Sequence, residues 1–336
     1  MRVSTPQIYR QTSDALMQSI ANLYKLNEQI GSGKRINRPS DDVTGAARAL
    51  DYKVFMENGK QYLSSISSTA NALSYFDSTF DSVDTALSRL KELSIVAANG
   101  ATSDTSRYAV SVEAGEIRDH ILTLANTKVG GTYIFSGFKT DTRAYDNSFA
   151  YQGDAGLVKV GIGGGMLVTQ NVTGPEAFTY TLDAEKSVDM GSGLYAYYIP
   201  DPGGGPVTTV EIRASDRTTV LDTFSYGNAM EIADLMTKAM EDNNIPRISA
   251  LIGSIDDMAD HVYRVRAEVG ARMNVLDSQD ARIRELNYTT EVNLSSVQDA
   301  DIVSTASDFV KANSVLSAVQ LSTVRILSQS LLDFLR

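Results

Sequence analysis

The chain has 336 residues, 43% of them apolar, with no Cys, no Trp, only two His and a formal net charge of −11. That length and apolar content suit a folded protein with a sizeable core and two or three domains, while the acidic balance is a poor match for a nucleic-acid binder, which needs a basic face to displace counterions. The lack of Cys excludes disulfides and thiolate metal sites, His120 and His261 lie on different predicted helices and so argue against zinc or His-dependent catalysis, and no apolar run approaches the ~20 residues of a membrane helix.

Met1-Arg2-Val3-Ser4 leads into polar positions with no apolar h-region. A cleaved secretory signal of the usual kind is therefore not expected. The expectation is the cytoplasm, or export by a route that leaves the N-terminus uncleaved. From Ile8 to Ile30 the pattern is amphipathic: Leu16, Ile20, Leu23, Asn27 and Ile30 step by four and three, heptad spacing with one polar member. Gly31-Ser32-Gly33 breaks it.

The stretch 35–50, "RINRPSDDVTGAARAL", follows. Pro39 disfavours αR at Arg38. Ser40 or Asp41 is expected to cap the helix entering at Val43-Thr44, where acids also suit the positive dipole end. Arg35 and Arg38 can pair with Asp41 and Asp42 or with a neighbour. An aspartate pair also fits metal or acid/base chemistry. No His, Cys or third carboxylate lies nearby in the sequence, so a structural turn and cap is the favoured reading.

A second helix is predicted from about Ala46 to Asn99. Ile66, Leu73, Phe80 and Leu87 recur every seven residues, and Phe76, Val83, Leu90 and Ala97 form a second such row. Asn99-Gly100 marks a turn. A third helix follows over about Asp104 to Lys128, with a seam of Val110, Ala114, Ile117, Ile121 and Leu124. From Gly130 to about Gly227 the texture changes to Gly, Thr, Tyr and Val, and "LVKVGIGGGMLVTQNV" (157–172) and "TTVEIRAS" (208–215) alternate like strands. "PDPGGGP" (200–206) reads as a loop between strands. "GIGGGM" (161–166) lacks the Lys-Ser/Thr of a P-loop and no helical pattern follows it, so a β-turn is favoured over a phosphate loop. Asp183, Glu185, Asp189, Glu211, Asp216 and Asp222 could include a carboxylate pair, with solvated surface as the default.

Helix resumes near Asn228 and pauses at Asn243-Asn244-Ile245-Pro246. Then Ile248, Ile255, Val262, Val269, Leu276 and Ile283 recur every seven residues, with Leu251, Met258, Val265 and Leu286 in a second row. A last helix is predicted from about Asp299 to Leu335. Val303, Val310, Val324 and Leu331 share one row, and Phe309 and Leu316 its neighbour. The fold class expected is mainly α with a β-rich insert, a rod of long antiparallel coiled-coil helices from both termini with a small outward β domain between them.

The terminal helices carry Ser, Gln, Asn and Thr where a solvated helix usually carries Glu and Lys. Such faces can be buried against another chain at less desolvation cost than charged ones. Two readings follow: pairing in cis within a monomer, or pairing in cis together with packing against neighbours in an assembly. In the second, the ends fold fully only on assembly.

"QIGSGKRINRPSDDVTGAARAL" (29–50) resembles the N-terminal segment of bacterial flagellins and hook-associated proteins. Pro-Ser-Asp-Asp is closest to the hook-associated members at the hook–filament junction, although Val43 stands where those often carry Pro. "GGTYIFSGFKTDTRAYD" (130–146), "YQGDAGLVKVGIGGGMLVTQNVTG" (151–174), "VGARMNVLDSQDARI" (269–283) and residues 296–335 are similar to further stretches of that family; 175–228 match least specifically. The resemblance implies a structural subunit, not an enzyme, without cofactor or metal. It implies export through the flagellar type III apparatus to the flagellum outside the cell. It also implies contacts with copies of itself in a ring, with a preceding hook-associated junction protein, with flagellin, and with an export chaperone at the C-terminal helix. Flagellin itself is the alternative within the family. An enzyme-bearing insert and a signalling coiled coil are the alternatives outside it. The second would need membrane spans or long Glu/Lys-rich heptads.

In these terms the domains expected are an assembly helix and turn (1–45), the N-terminal half of a helical core (46–129), a β-rich outer domain (130–228), the C-terminal half of the core (229–294) and a C-terminal assembly helix (295–336). The expected assembly residues are Leu16, Ile20, Leu23, Ile30, Val303, Phe309, Val310, Leu316, Val324 and Leu331. The expected turn and cap residues are Arg35, Arg38, Pro39, Ser40, Asp41 and Asp42.

Overall fold

The computed structural model describes residues 5–182, 184–205 and 207–334. Helices dominate, with a small antiparallel β region. In chain order the elements are α1 (Thr5–Ser32), α2 (Val43–Ala98), α3 (Asp104–Ala125), the ribbon β1 (Lys128–Val129) and β2 (Thr132–Tyr133), the hairpin β3 (Lys159–Gly161) and β4 (Leu167–Thr169), and the short helix α4 (Gly174–Phe178). Strands β5 (Lys186–Gly191), β6 (Leu194–Pro200), β7 (Thr208–Arg213) and β8 (Val220–Tyr226) follow, then α5 (Ala229–Glu241), α6 (Ile245–Gln298) and α7 (Ile302–Phe334). The chain forms two compact units: its two ends, up to Gln61 and from Arg282 on, and the stretch Tyr62–Ala281.

In the unit formed by Tyr62–Ala281 the heptad rows become a core. Leu73, Phe80, Leu87 and Leu90 of α2 are fully buried, as are Ile248, Val262, Val269 and Leu276 of α6. The second α6 row stops early. Leu251, Met258 and Val265 are buried, whereas Leu286, in the other unit, is exposed. On α3 the buried positions are Arg107, Ser111, Ala114, Ile121 and Ala125, so the expected members Val110, Ile117 and Leu124 sit half-buried at its flanks. This helix packs on α5.

Phe135, from the stretch "YIFSG", is the hub of an aromatic cluster. Its ring meets Phe76 at 5.3 Å, Phe80 at 5.9 Å and Phe178 at 5.0 Å, all edge to face, the arrangement ring quadrupoles favour. The chain then turns at Gly137, whose φ is +67°. A Cβ there would run into the Asp154 main chain, so only glycine fits. "YQGD" closes the same corner. Tyr151 Oη donates to the carbonyls of Phe135 (3.0 Å) and Asp154 (2.8 Å), and Asp154 Oδ1 accepts from the Phe138 N–H at 2.8 Å.

Strands β5 to β8 form one antiparallel meander in sequence order. In β7 buried and half-buried positions alternate strictly, as a sheet with one covered face requires. Tyr198 of β6 is on the covered face and its Oη donates to the Ala250 carbonyl of α6 at 2.6 Å. The Arg247 guanidinium grips both Asp222 carboxylate oxygens, at 2.8 and 2.6 Å. Two more acids of the sheet are likewise engaged, Glu211 by Arg213 and Asp216 by Thr218 and Thr219. Asp183 lies outside the described residues. "GIGGGM" forms the β3–β4 turn, with Gly163, Gly164 and Gly165 at positive φ and the Met166 N–H on the Gly163 carbonyl at 3.0 Å.

Candidate assembly interface

The unit built from the chain ends holds the expected interface residues. Helices α1 and α7 pack against each other. On α1 the half-buried row is Leu16, Ile20, Leu23, Leu26 and Ile30; Asn27, expected as a seam member, is exposed and Leu26 takes its place. The step of three from Leu23 keeps the stripe on one side, and an amide in the seam would lose its water without a partner. On α7 the row facing inward is Thr305, Phe309, Ala312, Leu316, Val319 and Thr323.

The other expected row of α7 points away. Val303 is 82% exposed, Val310 64% and Val324 65%. Ile302, Val315 and Leu321 are exposed as well. The helix thus has two apolar rows, and within the described residues α1 covers only one. The side chain of Leu331 lies outside the described residues. On α1, Met17 and Tyr24 are exposed, each one position on from a seam residue. Both helices of the pair thus carry exposed apolar side chains besides their shared seam.

Residues 33–42 set how this pair begins. The Arg35 N–H donates to the Gln298 carbonyl at 2.7 Å, its guanidinium to the Val297 carbonyl at 2.8 Å, and the Ala300 N–H to the Gly33 carbonyl at 3.0 Å. Lys34 and Asp299 form an isolated antiparallel bridge. The loop leaving α1 is therefore stitched to the corner between α6 and α7. Arg38 to Asp41 form a tight turn, with the Asp41 N–H on the Arg38 carbonyl at 3.0 Å and Pro39 in the second position, where its fixed φ suits a turn.

The cap differs from the expected one. Helix α2 starts at Val43, so Asp42 is its N-cap and accepts from the Gly45 N–H at 2.8 Å. Asp41 sits one residue too early and instead holds the turn, accepting from the N–H groups of Arg38 (2.9 Å) and Asn37 (3.2 Å). Ser40 is exposed and makes no cap. Gly45 has no room for a side chain: a Cβ would lie 2.5 Å from Asp42 Oδ2 and 2.6 Å from Ile36 Cδ1, and Ile36 is buried. Arg35 reaches Asp42 at 3.4 Å and Arg38 reaches Glu28 at 3.3 Å, exposed pairs that add little.

Both carboxyls are held below the ordinary aspartate value of 3.8, Asp41 first by the Arg38 N–H and Asp42 first by the Gly45 N–H. A depressed folded pKa contributes stability that is whole above the unfolded value and is lost as pH falls through the folded one. The corner is accordingly expected to loosen below about pH 4. Acid titration followed by hydrogen exchange at Gly45 and Asn37 checks this, and the double variant Asp41→Ala, Asp42→Ala should remove the acid transition while lowering stability at neutral pH. Unchanged exchange in that variant would show the two acids to be merely solvated.

Among the described residues no group of three or more His, Asp or Glu is placed to hold a metal, and no helix is long and apolar enough to cross a membrane. His120 is exposed, and His261 meets the Glu176 carbonyl at 2.9 Å.

Alongside the paired terminal helices, the stitched entry turn and the β-rich middle segment, residues 3–140 match the bacterial flagellin N-terminal helical region. That match takes in α1 to α3 and the turn that follows them. Over nearly its whole length, the chain is similar to flagellar hook-associated protein 3 of Salmonella typhimurium, at 26% identity over 326 residues that cover 95% of this chain and 94% of that relative. Flagellin of Listeria monocytogenes is a more distant match, 23% identical over 93% of this chain and 90% of its own length. The crystal structure of the flagellar junction protein FlgL from Legionella pneumophila shares the fold, with a TM-score of 0.56 at 17% identity over 75% of this chain and 99% of that one.

Proposed function

We infer that this chain is a structural subunit of the bacterial flagellum, a hook-associated protein at the hook–filament junction that connects the hook side to the flagellin filament. The observation that carries the reading is the similarity to flagellar hook-associated protein 3 along nearly the whole length of both chains. The geometry of the chain ends supports it. One row of α7 packs on α1, and a second row, with Val303, Val310 and Val324, has no cover within the described residues. In this reading the second row, with Leu331, is buried against further copies in a ring. Leu16, Ile20, Leu23 and Ile30 with Phe309 and Leu316 hold the α1–α7 pair itself. The preceding junction protein and flagellin are the neighbours along the axis, an export chaperone shields the C-terminal helix before assembly, and the chain leaves the cell through the flagellar type III apparatus. It carries out no catalysis.

Expression in a strain deleted for its own hook-associated protein 3 tests this: filaments should stay attached to hooks, where the deleted strain sheds flagellin monomer. Long filaments made of this chain in a strain lacking flagellin would instead make it the filament subunit.

The two rows separate in mutants. Leu23→Asp or Phe309→Asp is expected to disrupt the α1–α7 pair and abolish incorporation while the β-rich segment stays folded. Val310→Asp with Val324→Asp is expected to leave the pair intact, by circular dichroism and limited proteolysis, and still block incorporation into hooks. Normal incorporation of the Val310/Val324 variant would sink the assignment of that row to subunit contacts.

A further inference from the structure

The chain contains two Asn-Gly steps, Asn58–Gly59 and Asn99–Gly100, and the structure treats them in opposite ways. Asn58–Gly59 lies inside α2, where the Gly59 N–H belongs to the helical ladder. Gly59 is buried, and a Cβ on it would strike the Asn287 side chain. Asn99–Gly100 lies in the exposed connection between α2 and α3.

Four features of that connection favour attack of the Gly100 nitrogen on its own neighbour. Both residues are exposed, so base and water reach them. The space around Gly100 is open, with no atom within 4 Å of where a Cβ would stand. The Gly100 N–H has no hydrogen-bond partner among the described residues, and the Val96 carbonyl one turn back accepts from the Thr102 hydroxyl at 2.8 Å. Finally, Asn99 Oδ1 accepts from the Ala101 N–H at 3.0 Å, which folds the carboxamide back over the Gly100 peptide and polarises its carbon.

We propose that Asn99 is a spontaneous deamidation site that opens the α2–α3 corner. The Gly100 nitrogen bonds to Asn99 Cγ, the Cγ–Nδ2 bond breaks, and the side-chain nitrogen leaves as ammonia with the proton that Gly100 gave up. Water then opens the resulting five-membered imide at either carbonyl, giving aspartate or isoaspartate. No oxidant, metal or enzyme takes part. The position matters because the Asn99 carbonyl accepts from Arg107 Nη2 at 3.3 Å and from the Thr102 N–H at 3.0 Å. In isoaspartate the main chain runs through the former side chain and gains one atom, while the former Asn99 carbonyl becomes a free carboxylate outside the chain, so neither contact keeps the geometry that closes the corner.

The test is peptide mapping by mass spectrometry on full-length protein held at mildly alkaline pH, folded and in denaturant, with isoaspartyl methyltransferase labelling. In denaturant both steps should convert at similar rates. In the folded protein Asn99 should keep most of its denatured rate, while Asn58 slows by about tenfold or more, as helix-interior amides do. The variant Gly100→Ala should suppress conversion at Asn99 with little change in unfolding temperature, since nothing opposes the added methyl. Folded protein carrying isoaspartate at 99 should be cut by protease between α2 and α3 faster than fresh protein. Equal slowing of both steps in the folded state would overturn the proposal, and so would an isoaspartate form with unchanged protease sensitivity.

Discussion

Arg107→Met is expected to lower the stability of the unit formed by Tyr62–Ala281 by about 2–5 kcal/mol, since each buried acceptor left without a donor costs about 1–3 kcal/mol. Arg107 is 2% exposed, yet the one carboxylate near it is the exposed Asp104, at 3.4 Å. Its partners are mostly neutral oxygens. Nε donates to the Ala97 carbonyl at 2.8 Å, Nη1 to Asn243 Oδ1 at 2.8 Å, and Nη2 to the carbonyls of Thr102 at 3.0 Å and Asn99 at 3.3 Å. A planar fork with five donors can serve acceptors in several directions at once. The positive charge also faces the carbonyl end of α2, where a cation is favoured. Three pieces of chain meet there: the end of α2, the loop to α3 and Asn243 in the link from α5 to α6. Met fills the volume but donates nothing, and water can rescue only the loop carbonyls. Lys keeps the charge but reaches fewer of the four oxygens, so Arg107→Lys should recover less than half the loss. Urea unfolding followed by far-ultraviolet circular dichroism measures both variants; a loss under 1 kcal/mol for Arg107→Met would mean that water replaces the guanidinium throughout.

Phe135→Ala is expected to cost about 3–5 kcal/mol, the range for truncating a fully buried aromatic ring. Phe135 is fully buried and lies edge to face with Phe76, Phe80 and Phe178. Its carbonyl accepts from both Tyr151 Oη and the Gly174 N–H. The ring therefore joins α2 to α4 while its backbone holds the "YQGD" corner. Phe135→Leu should retain about half of the lost stability because it refills much of the cavity without the ring contacts. Thermal unfolding of the purified full-length variants decides the matter, and near-wild-type stability of Phe135→Ala would show that the cluster collapses around the gap.

Much of this was legible in the residues. The rows Ile66–Leu73–Phe80–Leu87 and Ile248–Ile255–Val262–Val269–Leu276 announce long packed helices, because a stripe repeating every seven residues is useful only against a parallel or antiparallel neighbour. The turn chemistry of Arg38-Pro39-Ser40-Asp41 was legible too. The cap expected at Ser40 or Asp41 falls at Asp42, since several capping side chains stand in a row and only the helix start decides which one serves. Strands β5 and β6 and helix α4 left weak signals. "KSVDMG" and "LYAYYIP" are short, and their covered face is defined by α6, distant in sequence.

By itself, then, the sequence determined the helical rows, the β-rich middle segment and the punctuated turn at 35–50, because periodicity and turn propensity are local properties of the chain. Only the tertiary structure decided which α7 row meets α1, that Asn27 turns outward while Leu26 turns in, and that Arg107 is a buried donor rather than a surface charge. Each of those depends on which groups distant segments bring alongside. An apolar row says that something must cover it without saying what, and a cation can be buried only where several carbonyls, set by separate elements, converge on it.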